Sequence, residues 1–250
     1  MVQQLRETIA QKPDGISMMG HAGDDALFPL VKEAQEKGIK LTMVNVPCPE
    51  IQEKLRTGYV GSYTYEFGYA LGKAAIERYG IKAGDKVWID GEWRLEGSKE
   101  RALGTAKPFE ELGCTIIKNE HTGEHSANPE TLLPNIAGAL EANPDIKLIC
   151  IAGGQCGGQT AFYMKSLNKK PGEIKVITYD LSPQIIDSIK QGYLQLTIDQ
   201  QPYYQGYLPI VSLCNGIVYG LDLITVNTGT GLVDETNYQA AEQYVQQQFR

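Results

Sequence analysis

The run Ile198-Asp199-Gln200-Gln201-Pro202-Tyr203-Tyr204-Gln205-Gly206-Tyr207 gathers an acid, three amides and three tyrosines. Carboxylate and amide groups exchange hydrogen bonds with hydroxyls, and aromatic faces cover C–H surface, so the set suits a neutral polyhydroxy ligand. A β-type run (Leu194, Leu196, Ile198) leads into it, and Pro202 falls where a helix begins and a missing N–H costs least. Polar groups at the C-terminal end of a strand lie where open α/β sheets place their ligand crevices. The same stretch also reads as a strand-to-helix turn with a capping role. Asp180 ends a second apolar run (Ile174, Val176, Ile177), where its carboxylate can accept ligand hydroxyls through charge-assisted bonds. The alternative for Asp180 is an N-cap for a helix opened by Ser182-Pro183. Tyr63, Trp93 and Tyr203 each follow a strand-like run and fit no adjacent helical stripe. At least one of them is expected to pack on the ligand's apolar face, core packing being the alternative for each.

Other chemistries find little support. Gly153-Gly154-Gln155-Cys156-Gly157-Gly158 follows a strand, but no Gly-Lys-Ser/Thr succeeds it and its spacing is not Gly-x-Gly-x-x-Gly. It reads as a tight loop that permits close backbone approach. No Gly-x-Ser-x-Gly elbow is present. His121 and His125 stand four apart beside Glu120 and Glu124, in sequence that reads as a solvated loop rather than a metal-binding helix. The five cysteines form no Cys-x-x-Cys pair, and Cys114 and Cys150 lie in apolar runs where a thiol behaves as a small hydrophobe. No enzyme, cofactor or metal is therefore expected.

The elements that must position these groups follow from periodicity. Apolar residues at helical spacing mark helices at Val2–Ile9, Leu27–Ala34, Phe67–Ala74 and Ala102–Leu112, with others at 129–142 and 238–248. Short apolar runs predict strands at 16–19, 39–46, 86–90, 114–118, 146–152, 174–179 and 194–198. Strands alternating with amphipathic helices mean βαβ units and parallel sheets. There are too many units for one small sheet, and they fail the eightfold count of a closed barrel. Two Rossmann-like, doubly wound lobes fit. Glycine or polar residues follow strand ends at Gly91, Gln200 and Gly229, which predicts one lobe from 1–92 with 201–230 and the other from 93–200 with 231–250, joined by three crossings. A net charge of −7 without a basic run argues against nucleic acid. No apolar stretch approaches the ~20 residues that span a bilayer.

In order along the chain, Lys12-Pro-Asp-Gly-Ile16, the polar loop before Leu27, Glu36-Lys-Gly-Ile39, Tyr59-Val-Gly61, Lys99-Glu-Arg101, Tyr179-Asp-Leu-Ser-Pro183 and Asp199-Gln-Gln-Pro202 together resemble the sugar-binding proteins of ABC importers, of the ribose- and galactose-binding type. The resemblance covers nearly the whole chain. It implies the type I periplasmic binding protein fold, an α/β architecture of two doubly wound parallel-sheet lobes with a three-crossing hinge and one ligand between them.

Carried over position by position, the resemblance implies ligand contacts at Gly20 and His21, Asn45, Tyr63 and Thr64, Lys99 and Arg101, Gln155, Asp180 and Gln200. Tyr63 stands where the family offers an acid, and Gly153 where an asparagine is common, so that Gln155 reaches in instead. The family also begins with a strand, a helix and a second strand, about one βαβ unit, before the helix that opens this chain. The first lobe is therefore expected to be incomplete and to pair with a separate N-terminal fragment or a dimer partner, unless the true chain is longer. The implied function is capture of a small carbohydrate by closure of the lobes and delivery to a membrane ABC permease. The implied location is periplasmic or extracellular and membrane-anchored, although no signal segment is present in this chain. A sugar or signal-molecule sensor on the same fold is the alternative.

Overall fold

A computed structural model describes residues 1–95 and 98–247. In chain order the elements are α1 (Val2–Ala10), β1 (Gly15–Met19), α2 (Gly23–Glu36), β2 (Lys40–Asn45), α3 (Pro49–Leu55), β3 (Gly58–Gly61), α4 (Thr64–Tyr79), β4 (Lys86–Gly91), α5 (Lys99–Leu112), β5 (Thr115–Glu120) and α6 (Gly123–Ala127). After a 3-10 turn at Pro129–Leu132 come α7 (Leu133–Ala142), β6 (Ile146–Ile151), α8 (Gly154–Gly158), α9 (Thr160–Ser166), β7 (Lys175–Tyr179), α10 (Pro183–Lys190) and β8 (Leu196–Asp199). The chain ends with α11 (Pro202–Tyr219), β9 (Thr225–Asn227), β10 (Gly231–Asp234) and α12 (Tyr238–Gln246).

The chain forms two compact units. The first holds Met1–Thr64 and Gln201–Gly229 around a four-stranded sheet of order β1-β2-β3-β9. All its neighbours are parallel, with Ile16 opposite Leu41, Thr42 opposite Gly58 and Val60 opposite Val226. Leu5, Ile9, Leu27, Val31, Leu41, Met43, Ile51 and Tyr59 form its core. The i, i+3, i+4 stripe of α2 supplies Leu27, Leu30 and Val31, which explains why that helix is legible in the sequence. Among the described residues β1 is an edge strand, and α11 leaves Ile210, Val218 and Tyr219 exposed.

The second unit holds Tyr65–Leu95, Lys99–Gln200 and the segment from Thr230. Its six-stranded sheet has the order β10-β8-β7-β6-β4-β5, parallel except for β10, which runs antiparallel to β8 at one edge. Ile89, Cys150, Ile177 and Leu196 align across four strands and lie in one core layer with Phe67, Leu71 and Phe109 of α4 and α5. The alternate residues Trp88, Ile149 and Val176 pack on the other side with Tyr163 and Ile185. A sheet covered on both faces needs continuous apolar strands, and these strands have them.

One boundary differs from expectation. Residues 65–92, assigned from the sequence to the first lobe, belong to the second unit. The reason is pairing: β4 sits between β5 and β6, and α4 packs on α5. A glycine after a strand end, as at Gly91, marks a turn and carries no information about which sheet the strand joined. The strands β3 and β9 fall at the strand-like runs before Tyr63 and Gly229, and the short strand β10 adds to the expected set.

The α4–α5 contact depends on absent side chains. A methyl added at Gly68 would overlap Arg101 O and Thr105, and one at Gly104 would overlap Tyr65 O. By contrast, Gly138 on α7 has nothing within 4 Å of an added methyl. Gly68→Ala and Gly104→Ala should each lower the unfolding free energy by about 1–3 kcal/mol through overpacking. Gly138→Ala should raise it by up to about 1 kcal/mol through helix propensity. Urea titration of the three variants checks both signs.

Candidate functional site

Each unit carries polar groups where its parallel strands end, the position at which open α/β sheets present ligand sites. In the first unit Gly20 follows β1, Asn45 closes β2, and Tyr63 and Thr64 follow β3. Gly20 is buried with its N–H on Val46 O at 3.0 Å, whereas His21 is exposed. Asn45 adopts a left-handed conformation (φ 62°) and donates from Nδ2 to Gln205 Oε1 at 2.9 Å. Gln205 Nε2 donates to Thr228 Oγ1 at 3.1 Å, and Gln201 Nε2 to Thr228 O at 2.9 Å. Amides from α11 thus bind the ends of β2 and β9 together. Tyr63 is half-buried with its ring 5.4 Å from that of Tyr59, whose hydroxyl reaches Ser62 O at 2.6 Å. Tyr203 lies in the first turn of α11, 42% exposed, and stacks on Tyr207 at 6.0 Å.

In the second unit the site residues follow four strands. Asp180 follows β7 with φ 70°. Its Oδ2 accepts Gly154 N–H at 3.1 Å and its Oδ1 accepts Gln200 Nε2. A carboxylate has about four lone-pair positions, so ligand hydroxyls can still be accepted. The capping alternative falls to Ser182, whose Oγ accepts Ile185 N–H at 3.1 Å at the start of α10. Asp180, Gln155, Gly154, Gly158, Gln159, Ser182 and Gln184 line a cavity of about 470 Å³ within this unit. Its lining is rich in amides and hydroxyls, suited to a polyhydroxy group.

Lys99 and Arg101 occupy the first turn of α5, after β4. The Arg101 guanidinium lies 4.8 Å from the Tyr179 ring centroid, with Glu92 Oε2 4.0 Å from its Nη2. Trp93 packs against the core; its indole N–H donates to Asn119 O at 2.8 Å, and the Lys118 ammonium lies 4.5 Å from its ring. Trp93 remains partly exposed.

Two sequence expectations need correction. The glycine-rich segment forms the short helix α8, and its close approach is internal: a methyl on Gly157 would overlap Thr178 of β7. His121 and His125 are not in a solvated loop; both are buried, next to Asp90 at the end of β4. Asp90 Oδ2 accepts His121 Nδ1–H at 2.7 Å and Ala152 N–H at 3.2 Å, and Asp90 Oδ1 accepts Asn119 Nδ2 at 2.8 Å. A carboxylate acceptor holds a His121 proton on Nδ1, and Nε2 lies 2.9 Å from Ser126 Oγ. His125 Nδ1 accepts Thr122 N–H at 3.2 Å in a capping box that opens α6. These bonds engage three of the four ring nitrogens, so Asp90, His121 and His125, though clustered, are organised as a hydrogen-bond network rather than as open metal ligands. Sequence reasoning counted Gln201 and Gln205 among the amides of the 198–207 run without giving either a partner, and it missed Thr228 and Asp90. The spacing of Gln201 and Gln205, one helical turn apart, was the signal available for the first two.

Fold and site together define a binding protein of the two-unit α/β type. The chain belongs to the periplasmic binding protein family, whose domain model matches residues 1–216. It is 40% identical, over 96% of its own length, to the xylose/arabinose-binding protein XylF of Sulfolobus acidocaldarius, and spans 61% of that relative. Its fold is shared with a carbohydrate transporter protein from Acidothermus cellulolyticus in complex with myo-inositol (TM-score 0.83, 24% identity, 100% of this chain and 84% of that one). It is shared also with an ABC transporter solute-binding protein from Burkholderia graminis in complex with D-arabinose (TM-score 0.81, 20% identity, 96% and 81%). The first of these relatives is named for binding xylose and arabinose, and the two solved structures hold myo-inositol and D-arabinose. The type I fold agrees with the sequence analysis. Among the described residues no helix is long and apolar enough to cross a membrane.

Three thiols lie beneath this region: Cys150 donates towards Tyr179 Oη, Cys156 to His125 O and Cys48 to Gly20 O. Burial pushes Cys48 and Cys150 up to about 12 and Cys156 to about 11. A neutral-seeking buried thiol is stable against ionisation until the pH passes its raised folded value. The unfolded thiol ionises near 8.5, so the stability that depends on these thiols should fall as pH rises from about 9 to about 12. At pH 8 a thiol reagent should label exposed Cys214 in the native protein and reach Cys48, Cys150 and Cys156 only after denaturation; peptide mapping reads the order.

Proposed function

We propose that this chain is the sugar-recognising part of a solute-binding protein that captures a pentose of the xylose or arabinose kind and hands it to an ABC permease. The observation that carries this is the 40% identity to a xylose/arabinose-binding protein over 96% of the chain. The chemistry of the second unit agrees: an oriented carboxylate and an amide-lined cavity accept and donate to hydroxyls. We assign ligand contacts to Asp180, Arg101, Lys99, Gln155 and Trp93 in the second unit, with Gln200 orienting Asp180. In the first unit we assign Asn45, Gly20, His21, Tyr63, Thr64 and Tyr203. The protein works outside the cytoplasm, held at the membrane surface near its permease. No finding supports a separate fragment or dimer partner, and neither is part of the proposal.

Binding of D-xylose, L-arabinose, D-ribose and myo-inositol is to be measured by calorimetry and thermal shift. A ligand that binds only the folded protein raises its melting temperature, and the first two sugars should bind most tightly. Asp180→Ala should weaken binding by about 2 kcal/mol or more, the scale for leaving hydroxyl partners of a charged group unsatisfied. Equal affinity of wild type and variant for each bound sugar would remove Asp180 from the site. Absence of binding by any sugar would sink the proposal.

A further inference from the structure

We infer that Tyr179, a fully buried residue, is the positioning residue for Arg101, and that it orients the guanidinium for a neutral polyol ligand. The inference deepens the proposed sugar-binding function and rests on it.

The observations are geometric. Tyr179 ends β7, one residue before Asp180, and is 1% exposed. Its ring stacks on Phe67 with centroids 5.8 Å apart, and the Arg101 guanidinium carbon lies 4.8 Å from the ring centroid. The hydroxyl is held on both sides. Thr105 Oγ1 donates to Arg101 O at 3.0 Å. A hydroxyl has a single proton, so Thr105 must accept from Tyr179. Cys150 Sγ approaches Tyr179 Oη at 3.7 Å as a weak donor. The result is a directed series from Cys150 through Tyr179 and Thr105 to the backbone carbonyl of Arg101. It fixes the ring, and the same series fixes the first turn of α5.

An arginine side chain has many rotamers, and ordering it on ligand binding costs entropy. A guanidinium held against a ring loses less, because cation–π attraction already restricts it. Arg101 is 26% exposed at its side chain, and among the described residues the carboxylate paired with it, Glu92, lies at 4.0 Å. A tight ion pair would neutralise Arg101 and compete with ligand oxygens. A ring orients the guanidinium without taking its N–H donors, which point outward from the edge of the plane. An arginine required for a neutral polyol is best oriented this way. Tyr179 and Asp180, adjacent in the chain, then do different work: one orients the donor group and the other is the acceptor.

The test uses the full chain and D-xylose. Tyr179→Leu should weaken binding about tenfold when Arg101 is present and have no further effect in an Arg101→Ala background. Tyr179→Phe, which keeps the ring, should recover most of the loss. An equal loss from Tyr179→Leu in both backgrounds, or wild-type affinity in Arg101→Ala, overturns the inference while leaving sugar binding intact. The buried site makes Tyr179→Leu a folding risk, so a second measurement uses the unaltered protein. The Arg101 Nε–H proton, assigned with Arg101→Lys, should resonate upfield of the Nε–H of Arg94, whose side chain is 88% exposed. Coincident resonances would overturn the geometry. A wild-type chain that binds none of the four sugars defeats the functional proposal, and the ring-current comparison still decides the Tyr179–Arg101 contact.

Discussion

The second unit depends on one buried carboxylate. Asp90, 1% exposed, accepts hydrogen bonds from His121, Asn119 and Ala152. Those partners come from the end of β5, the segment after it and the residue that follows β6. The ends of β5 and β6 are therefore tied to β4. Each donor satisfies part of a charge that would be very costly to bury alone. The network continues outward: Asn119 O receives the Trp93 indole, and Asn119 Oδ1 receives Asn135 at 2.9 Å. Ala152 leads directly into Gly153 and Gly154, and Gly154 N–H is the donor that orients Asp180. Asp90 and Asp180 are thus connected by two hydrogen bonds and the short backbone segment 152–154 between them.

That path explains why a parallel sheet can carry a polar site without strands that advertise it. The strand interiors are apolar on both faces because helices cover both. The polar groups of this region lie near a strand's end or just beyond it, at Asp90, Asp180 and Gln200, while the buried Thr178 and Thr197 inside β7 and β8 give their hydroxyls to Ile151 O and Asp180 O. The backbone groups freed there need partners, and side chains supply them before any ligand does. Binding chemistry and structural chemistry therefore draw on the same few positions. Gln200 serves Asp180, and Trp93 spends its N–H on a carbonyl, as any polar atom near a buried strand end would.

Much of this was legible in the sequence. The helices with clean apolar stripes, α2 and α4 among them, and the apolar strands β4, β6 and β7 follow from periodicity. The polar residue after β7 was legible because a carboxylate ending an apolar run is conspicuous. Three things were not. The membership of β4 depends on which strands it pairs with, a nonlocal fact. The burial of His121 and His125 depends on Asp90, some thirty residues away in the chain, and a local view of Glu120–His125 shows only charge. The amide network of Asn45, Gln205 and Thr228 joins segments still farther apart. In each case local pattern describes the segment correctly and tertiary pairing decides its role.

Backbone conformation adds an independent argument about these positions. Asn45, Asp180 and Gln201 all adopt positive φ, at 62°, 70° and 53°. A non-glycine residue there costs of order 1–2 kcal/mol relative to glycine. Glycine would relieve that cost at each position, and the chain places glycine freely at positive φ elsewhere, as at Gly38, Gly113 and Gly192. What glycine would lose is the side chain. Asn45 would lose its bond to Gln205, Asp180 its bonds to Gly154 and Gln200, and Gln201 its bond to Thr228. Strain accepted at three strand ends, each with an amide or carboxylate anchored in a network, marks where side-chain chemistry outweighs backbone preference. One such residue closes β2 in the first unit and another follows β7 in the second. Each sheet therefore presents an oriented hydrogen-bonding group from a left-handed residue at a strand end.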